Sequence, residues 1–183
     1  MHWIDPTSLP ETRGKVTRFL LNPHGEVDGL IVGSRQVHFP PHLSKQIVRH
    51  VTPGDVVRVR GIKPRDADMT AAVSLTTASG VVILDEGPHL KGEKHHKPDV
   101  KRKPMDASGE VVLSLFGPKG ELRGALLDDG TSLRMPPHTA AELADYLTPG
   151  VHVHAWGHGV RTRHGRTIEV DEIAELVDAP EAP

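Results

Sequence analysis

The chain has 183 residues, 37% hydrophobic and 25% charged, with a formal net charge of -2, which excludes wholesale disorder and allows one ordinary domain or two small ones. It has no cysteine, which excludes disulfides, thiolate zinc sites and a cysteine nucleophile. No apolar run reaches the about 18 residues of a membrane span, and the opening "MHWIDPTSLPETRG" lacks a basic segment followed by an apolar one, so a cytoplasmic location and no membrane partner are expected.

Residues 1–13 form an N-terminal extension ahead of the first patterned segment. "KVTRFLL" is an apolar-rich strand, "NPHG" a turn, and "EVDGLIV" a second strand alternating around Val27, Gly29 and Ile31. "QVHFP" alternates again, with Val37 and Phe39 opposite His38. In "FPPHLSKQIVRHVTPGD" the prolines suit a first helical turn, Leu43, Ile47 and Val51 make one apolar stripe, and "TPGD" stops the helix. "DVVRVRG" sets Val57 and Val59 opposite Arg58 and Arg60, "KPRDAD" turns, and a last strand lies near "TAAVSL". Residues 78–108, dominated by Gly, Pro and Lys after a short "VVIL", read as a solvated linker.

From Gly109 the order starts again. "GEVVLSLFGPKGELRGALL" matches "GKVTRFLLNPHGEVDGLIV" at Val111, Leu115, Pro118, Gly120, Glu121 and Gly124. After one inserted residue near "DDG", Pro136, Pro137, His138, Thr148, Pro149, Gly150, Val153 and Gly157 match Pro40, Pro41, His42, Thr52, Pro53, Gly54, Val57 and Gly61. Units of this length indicate duplication of a whole small domain rather than a solenoid. The copies differ in charge: residues 14–77 carry nine Lys and Arg against five Asp and Glu, residues 78–108 six against five, and residues 109–183 six against twelve.

Three strands, a helix and two strands, the fourth strand beginning "PGDVVRVRG", resemble the OB-fold, a small Greek-key barrel. The expected fold is therefore all-β with short helices: two tandem five-stranded OB-like barrels, 14–77 and 109–177, each with one helix between strands three and four, and a tail at 178–183. The resemblance implies oligonucleotide binding on the face of strands two and three and through the loops joining strands one to two and four to five. The outward cationic positions there are Arg18, His38, Lys63 and Arg65 in the first copy, and Lys119, Arg123, Arg134, Arg161, Arg163 and Arg166 in the second. Stacking platforms are scarce. Phe19, Phe39, Phe116 and Tyr146 fit core positions, leaving Trp3 and Trp156, while base stacking supplies about 1 to 3 kcal/mol per base in single-strand binders.

There are 13 histidines. "VHVHAWGH" puts His152 and His154 on one strand face beside Trp156, a pair whose imidazoles suit zinc, copper or nickel, although no HExxH accompanies it. The matched His42 and His138 follow "PP" at the helix start, where a side chain can satisfy a free backbone N–H. No GxxxxGK[ST], GxGxxG or GxSxG is present. The expectation is a non-enzymatic accessory protein without a cofactor that binds single-stranded DNA or RNA. The alternative is a protein–protein interaction module or assembly subunit with a protein partner.

Overall fold

Alternation of apolar and polar residues along each copy gives strands with one face to bury, and each copy buries it by closing on itself. The structure, a computed structural model, describes residues 6–85 and 101–177. In the first copy β1 (Glu11–Leu21), β2 (Val27–Val32), β3 (Arg35–His38), β4 (Val56–Ile62) and β5 (Met69–Thr76) pair in the order β3-β2-β1-β4-β5. β3 also pairs in parallel with β5, which closes the barrel. Between β3 and β4 a 3-10 turn, Pro41–Leu43, runs into α1 (Ser44–His50), and Leu43, Ile47 and Val51 all face the barrel core. β6 (Val82–Leu84) adds to the free edge of β5 outside the barrel.

The second copy repeats this with β7 (Lys103–Phe116), β8 (Leu122–Leu127), β9 (Thr131–Arg134), β10 (His152–Thr162) and β11 (Gly165–Glu175), closed in the order β10-β11-β9-β8-β7. α2 (Pro137–Glu142) and a 3-10 turn, Ala144–Leu147, connect β9 to β10. In both copies the third strand returns onto the fifth, the Greek-key closure of the OB-fold. The matched Gly61 and Gly157 sit at bulges of β4 and β10, where a Cβ would overlap the carbonyl oxygens of Ala71 and Glu169. A side chain there would prevent the strand from bending around the barrel.

Three expectations are corrected. Of the expected linker, residues 82–84 form β6 and β7 already begins at Lys103; residues 86–100 lie outside those described, as do the segments 1–5 and 178–183. β7 extends that far because β10 pairs with it as far as Gly159, opposite Lys103, giving the preceding residues a ladder to join. β2 does not alternate: all six residues are buried, Val27, Leu30 and Val32 toward the barrel and Ile31 away from it. Phe116 is half-buried, outside the core its matched residue Leu21 occupies.

The dry outer face of β2 has a structural cause. The barrels pack against each other through the outer faces of β1–β2 and β7–β8. Leu20 and Ile31 meet their matched residues Leu115 and Leu126 in one buried cluster, with Leu113 against it. Like positions meeting like positions is the geometry of an isologous contact, here within one chain. Gln36 donates from Nε2 to the Phe116 carbonyl (2.9 Å) and accepts from the Phe116 N–H at Oε1 (2.8 Å), so a side-chain amide stands in for a strand between the barrels. Arg134 reaches across to Asp28, Nη2 to Oδ1 at 3.0 Å, with the two side chains 12% and 7% exposed. A pair this well covered is held by little-screened Coulomb attraction.

Candidate nucleic-acid interface

The β10–β11 hairpin has only Arg163 and His164 at its tip, and its register sets Arg161 directly opposite Arg166. Arg166 is anchored: it donates from Nη2 to Asp129 Oδ2 (2.8 Å) and to Thr131 Oγ1 (2.8 Å), and from Nε to the same hydroxyl (3.0 Å). The hairpin leans on the first barrel, where the His164 ring meets Phe19 edge to face at 5.2 Å between centroids. Arg18, on the outer side of β1, lays its guanidinium over Gly130 in the turn before β9.

These elements bound a cleft of about 460 Å³ between the barrels, lined by Arg18, Arg161, Arg163 and Arg166 against one carboxylate among the described residues, Asp129. Asp129 is engaged by Arg166. Among the described residues Arg18, Arg161 and Arg163 have no carboxylate partner. Burial, and after it the Arg163 charge, hold the His164 pKa below the usual histidine value, so this ring is a neutral wall at pH 7. The cleft therefore presents three uncompensated guanidiniums, each a forked donor matched to phosphate oxygens. Its aromatic ring, Phe19, is buried, so the cleft offers guanidinium donors rather than an open aromatic face.

The remaining expected site residues fall elsewhere. His38, Arg123 and Arg134 line a second inter-barrel pocket, of about 340 Å³, together with Asp28 and Glu169. The face of strands two and three, expected to be the open ligand surface, is thus the junction itself. Arg134 is committed to Asp28, and its Nε is buried without a partner among the described residues. Burial above all lowers the His38 pKa; Arg134 and Arg123 lower it further, against Asp28 and Glu121. Lys63 and Arg65 are exposed on the loop between β4 and β5, whose Pro64 and Ala67 lie against Gly120, so they flank Lys119 at the junction rim.

Trp156 stands apart, 41% exposed on the outside of β10. The His154 ring stacks on it at 4.0 Å and 7°, and the cross-strand neighbours are Asp106 and Glu172. A polyanion would be repelled from this wall. His154 Nε2 is 2.8 Å from Asp106, His152 Nε2 3.7 Å from Glu110 and His158 Nδ1 3.1 Å from Asp171. Each imidazole thus has its own carboxylate on a neighbouring strand, and among the described residues no three His, Asp or Glu converge as a metal site. Trp3 lies outside the described residues. His42 caps no helix N–H; its ring lies 3.3 Å from Asp85 at the end of β6, while the matched His138 is exposed.

Asp28, Gln36 and Asp129 were not among the sequence candidates. One signal was available: Asp28 is matched by Arg123, and His38 by Arg134, so corresponding outward positions differ in charge as surfaces that face each other do.

The closed barrels and their shared cationic cleft define a tandem OB-fold protein. No family model and no curated protein matches the chain. Among solved structures it is similar to the single-stranded DNA binding protein of Thermus aquaticus, at 13% identity and a TM-score of 0.32 over 94% of both chains. A deletion variant of that protein is similar at 14% identity and a TM-score of 0.30, over 94% of this chain and 96% of that one.

Proposed function

We propose that the protein is a non-enzymatic, cytoplasmic accessory protein that binds single-stranded nucleic acid through its backbone phosphates in the junction cleft. The observation that supports this reading most is the convergence of Arg18 from one barrel with Arg161 and Arg163 from the other, beside an Arg166 whose charge Asp129 already balances. Without a neighbouring anion, three clustered guanidiniums repel one another, and a phosphate backbone relieves this while releasing counterions. With no open stacking ring in the cleft, binding should be modest and tolerant of sequence.

The test is fluorescence anisotropy of labelled oligo-dT, oligo-U and a duplex across salt concentrations. Contacts to two or three phosphates give a slope of log affinity against log salt of about -1.4 to -2.1 for a single strand. The triple variant Arg18→Gln, Arg161→Gln, Arg163→Gln should lose most of that slope. Absence of binding by the native protein even at low salt would overturn the reading.

A second reading has its own observation. The acidic wall around the exposed Trp156, formed by Asp106, Asp171 and Glu172, suits a basic protein partner. A pull-down that Trp156→Ala abolishes and Arg161→Gln leaves intact would favour it.

A further inference from the structure

β1 carries a second group of cations at its other end. Register pairs Arg13 with Arg58 of β4, and both are exposed. The ladder bond from the Val16 N–H to the Asp55 carbonyl fixes the alternation, so Arg13 and Arg58 form a non-hydrogen-bonded pair, the type in which facing side chains lie closer. Like charges directly opposite one another destabilise a sheet. The adjacent row shows the usual remedy: Arg60 is paired with Glu11 at 2.8 Å and also bonds the Thr7 and Leu9 carbonyls. Arg13 and Arg58 have no carboxylate partner among the described residues. Nearby Asp55 accepts from the Thr52 N–H, and Lys15, one row along the same face, adds a third positive charge.

The two arginines line a cleft of about 330 Å³ whose far wall is Thr76, Thr77 and the Gly80 turn. Two forked donors converge there, and Thr76, the residue paired with Arg58 on β5, adds a hydroxyl. Donors of this kind lining one cleft are chemically suited to a tetrahedral anion. This cleft is separate from the junction cleft: from Arg13 to Arg18 the strand covers about 17 Å. The two are nevertheless joined. Val16, Phe19 and Leu21 point into the barrel and the β1 bulge follows Val16, so Arg13, Lys15 and Arg18 all lie on the outer side of one strand.

We infer that Arg13 and Arg58 clamp a phosphate of the same single strand that occupies the junction cleft, so that β1 is the rail along which the nucleic acid lies. This rests on the function proposed above and extends it to a second contact and a minimum bound length. Affinity should rise with oligonucleotide length until the strand spans both clefts.

The experiment is an oligo-dT length series titrated against the native protein, Arg13→Gln/Arg58→Gln and Arg161→Gln/Arg163→Gln. The first variant should match native binding for the shortest strands, stop gaining affinity at a shorter length, and show a salt slope smaller by about 0.7 for each phosphate it no longer neutralises. Arg58→Glu should raise Tm by giving Arg13 an opposite charge, while losing the same long-strand affinity. This separates binding from stability. Native-like length dependence and slope in Arg13→Gln/Arg58→Gln would overturn the clamp and leave the proposed function standing; no binding by the native protein at any length would remove both. A parallel titration with inorganic phosphate tests the other source of the anion. Phosphate raising the native Tm but not that of Arg13→Gln/Arg58→Gln, with oligo-dT affinity equal in the two, would mark a free-anion site and overturn the clamp.

Discussion

Asp28 and Arg134 are almost wholly covered, at 7% and 12% side-chain exposure, so removing one leaves the other charged, buried and unpaired. Asp28→Ala or Arg134→Ala should each destabilise the protein by about 3 kcal/mol or more, whereas Asp28→Leu with Arg134→Met should cost far less, because a matched apolar pair strands no charge. Urea unfolding of the three variants checks this. His38 predicts a pH dependence: with its folded pKa lowered by burial, the unfolded chain takes up a proton near the ordinary value of 6.5 while the folded protein does not. Stability at this site is thus fully present above about 6.5 and is lost as pH falls toward the depressed folded value. His38→Gln should flatten that part of a Tm-against-pH curve. The cations of this residue set were legible because they stand out on strands. Asp28 was not, because an acid on an outward position reads as solvated surface until a second barrel covers it.

At the scale of elements, the bulge glycines decide whether the long strands can turn. Gly157→Ala would drive a Cβ into the Glu169 carbonyl, and Gly61→Ala into that of Ala71. Each should destabilise by about 2 kcal/mol or more, while Trp156→Ala on the open face of β10 should stay far smaller. Thermal melts distinguish them. Period-two alternation revealed the strands that have one wet face, such as β4, with Val57 and Val59 inward and Arg58 outward. It failed for β2, whose two faces are both dry, since burial on both sides removes the alternation that marks a strand. It also missed the start of β7, where Lys103 and Pro104 end the linker-like "KRKP" although β10 pairs with both.

For the whole molecule, the buried Leu20, Ile31, Leu115 and Leu126 cluster joins the two barrels through apolar contact, and burial of this kind should couple their unfolding. Calorimetry should show a single transition for the native chain. Leu115→Asp, which puts a charge where the barrels meet, should split it into two or lower it as a whole; an unchanged melt would mean that the junction carries no stability. Duplication was plain from matched residues, but how the copies sit was not. The contact is made by Leu20 and Leu115, which a single copy would simply count as strand residues.

That arrangement has a further result. Were two identical subunits joined about a dyad, every contact would occur twice, and Asp28 facing Arg134 would require the same partnership between their counterparts. Those counterparts are Arg123 and His38, which cannot form it, and Arg18 is answered by Leu113. Joining both halves in one chain freed each side of the seam to vary alone. The junction is consequently asymmetric: the cleft lined by Arg18 of one barrel and Arg161, Arg163 and Arg166 of the other meets a different set of side chains on each side, so its two ends are chemically distinct.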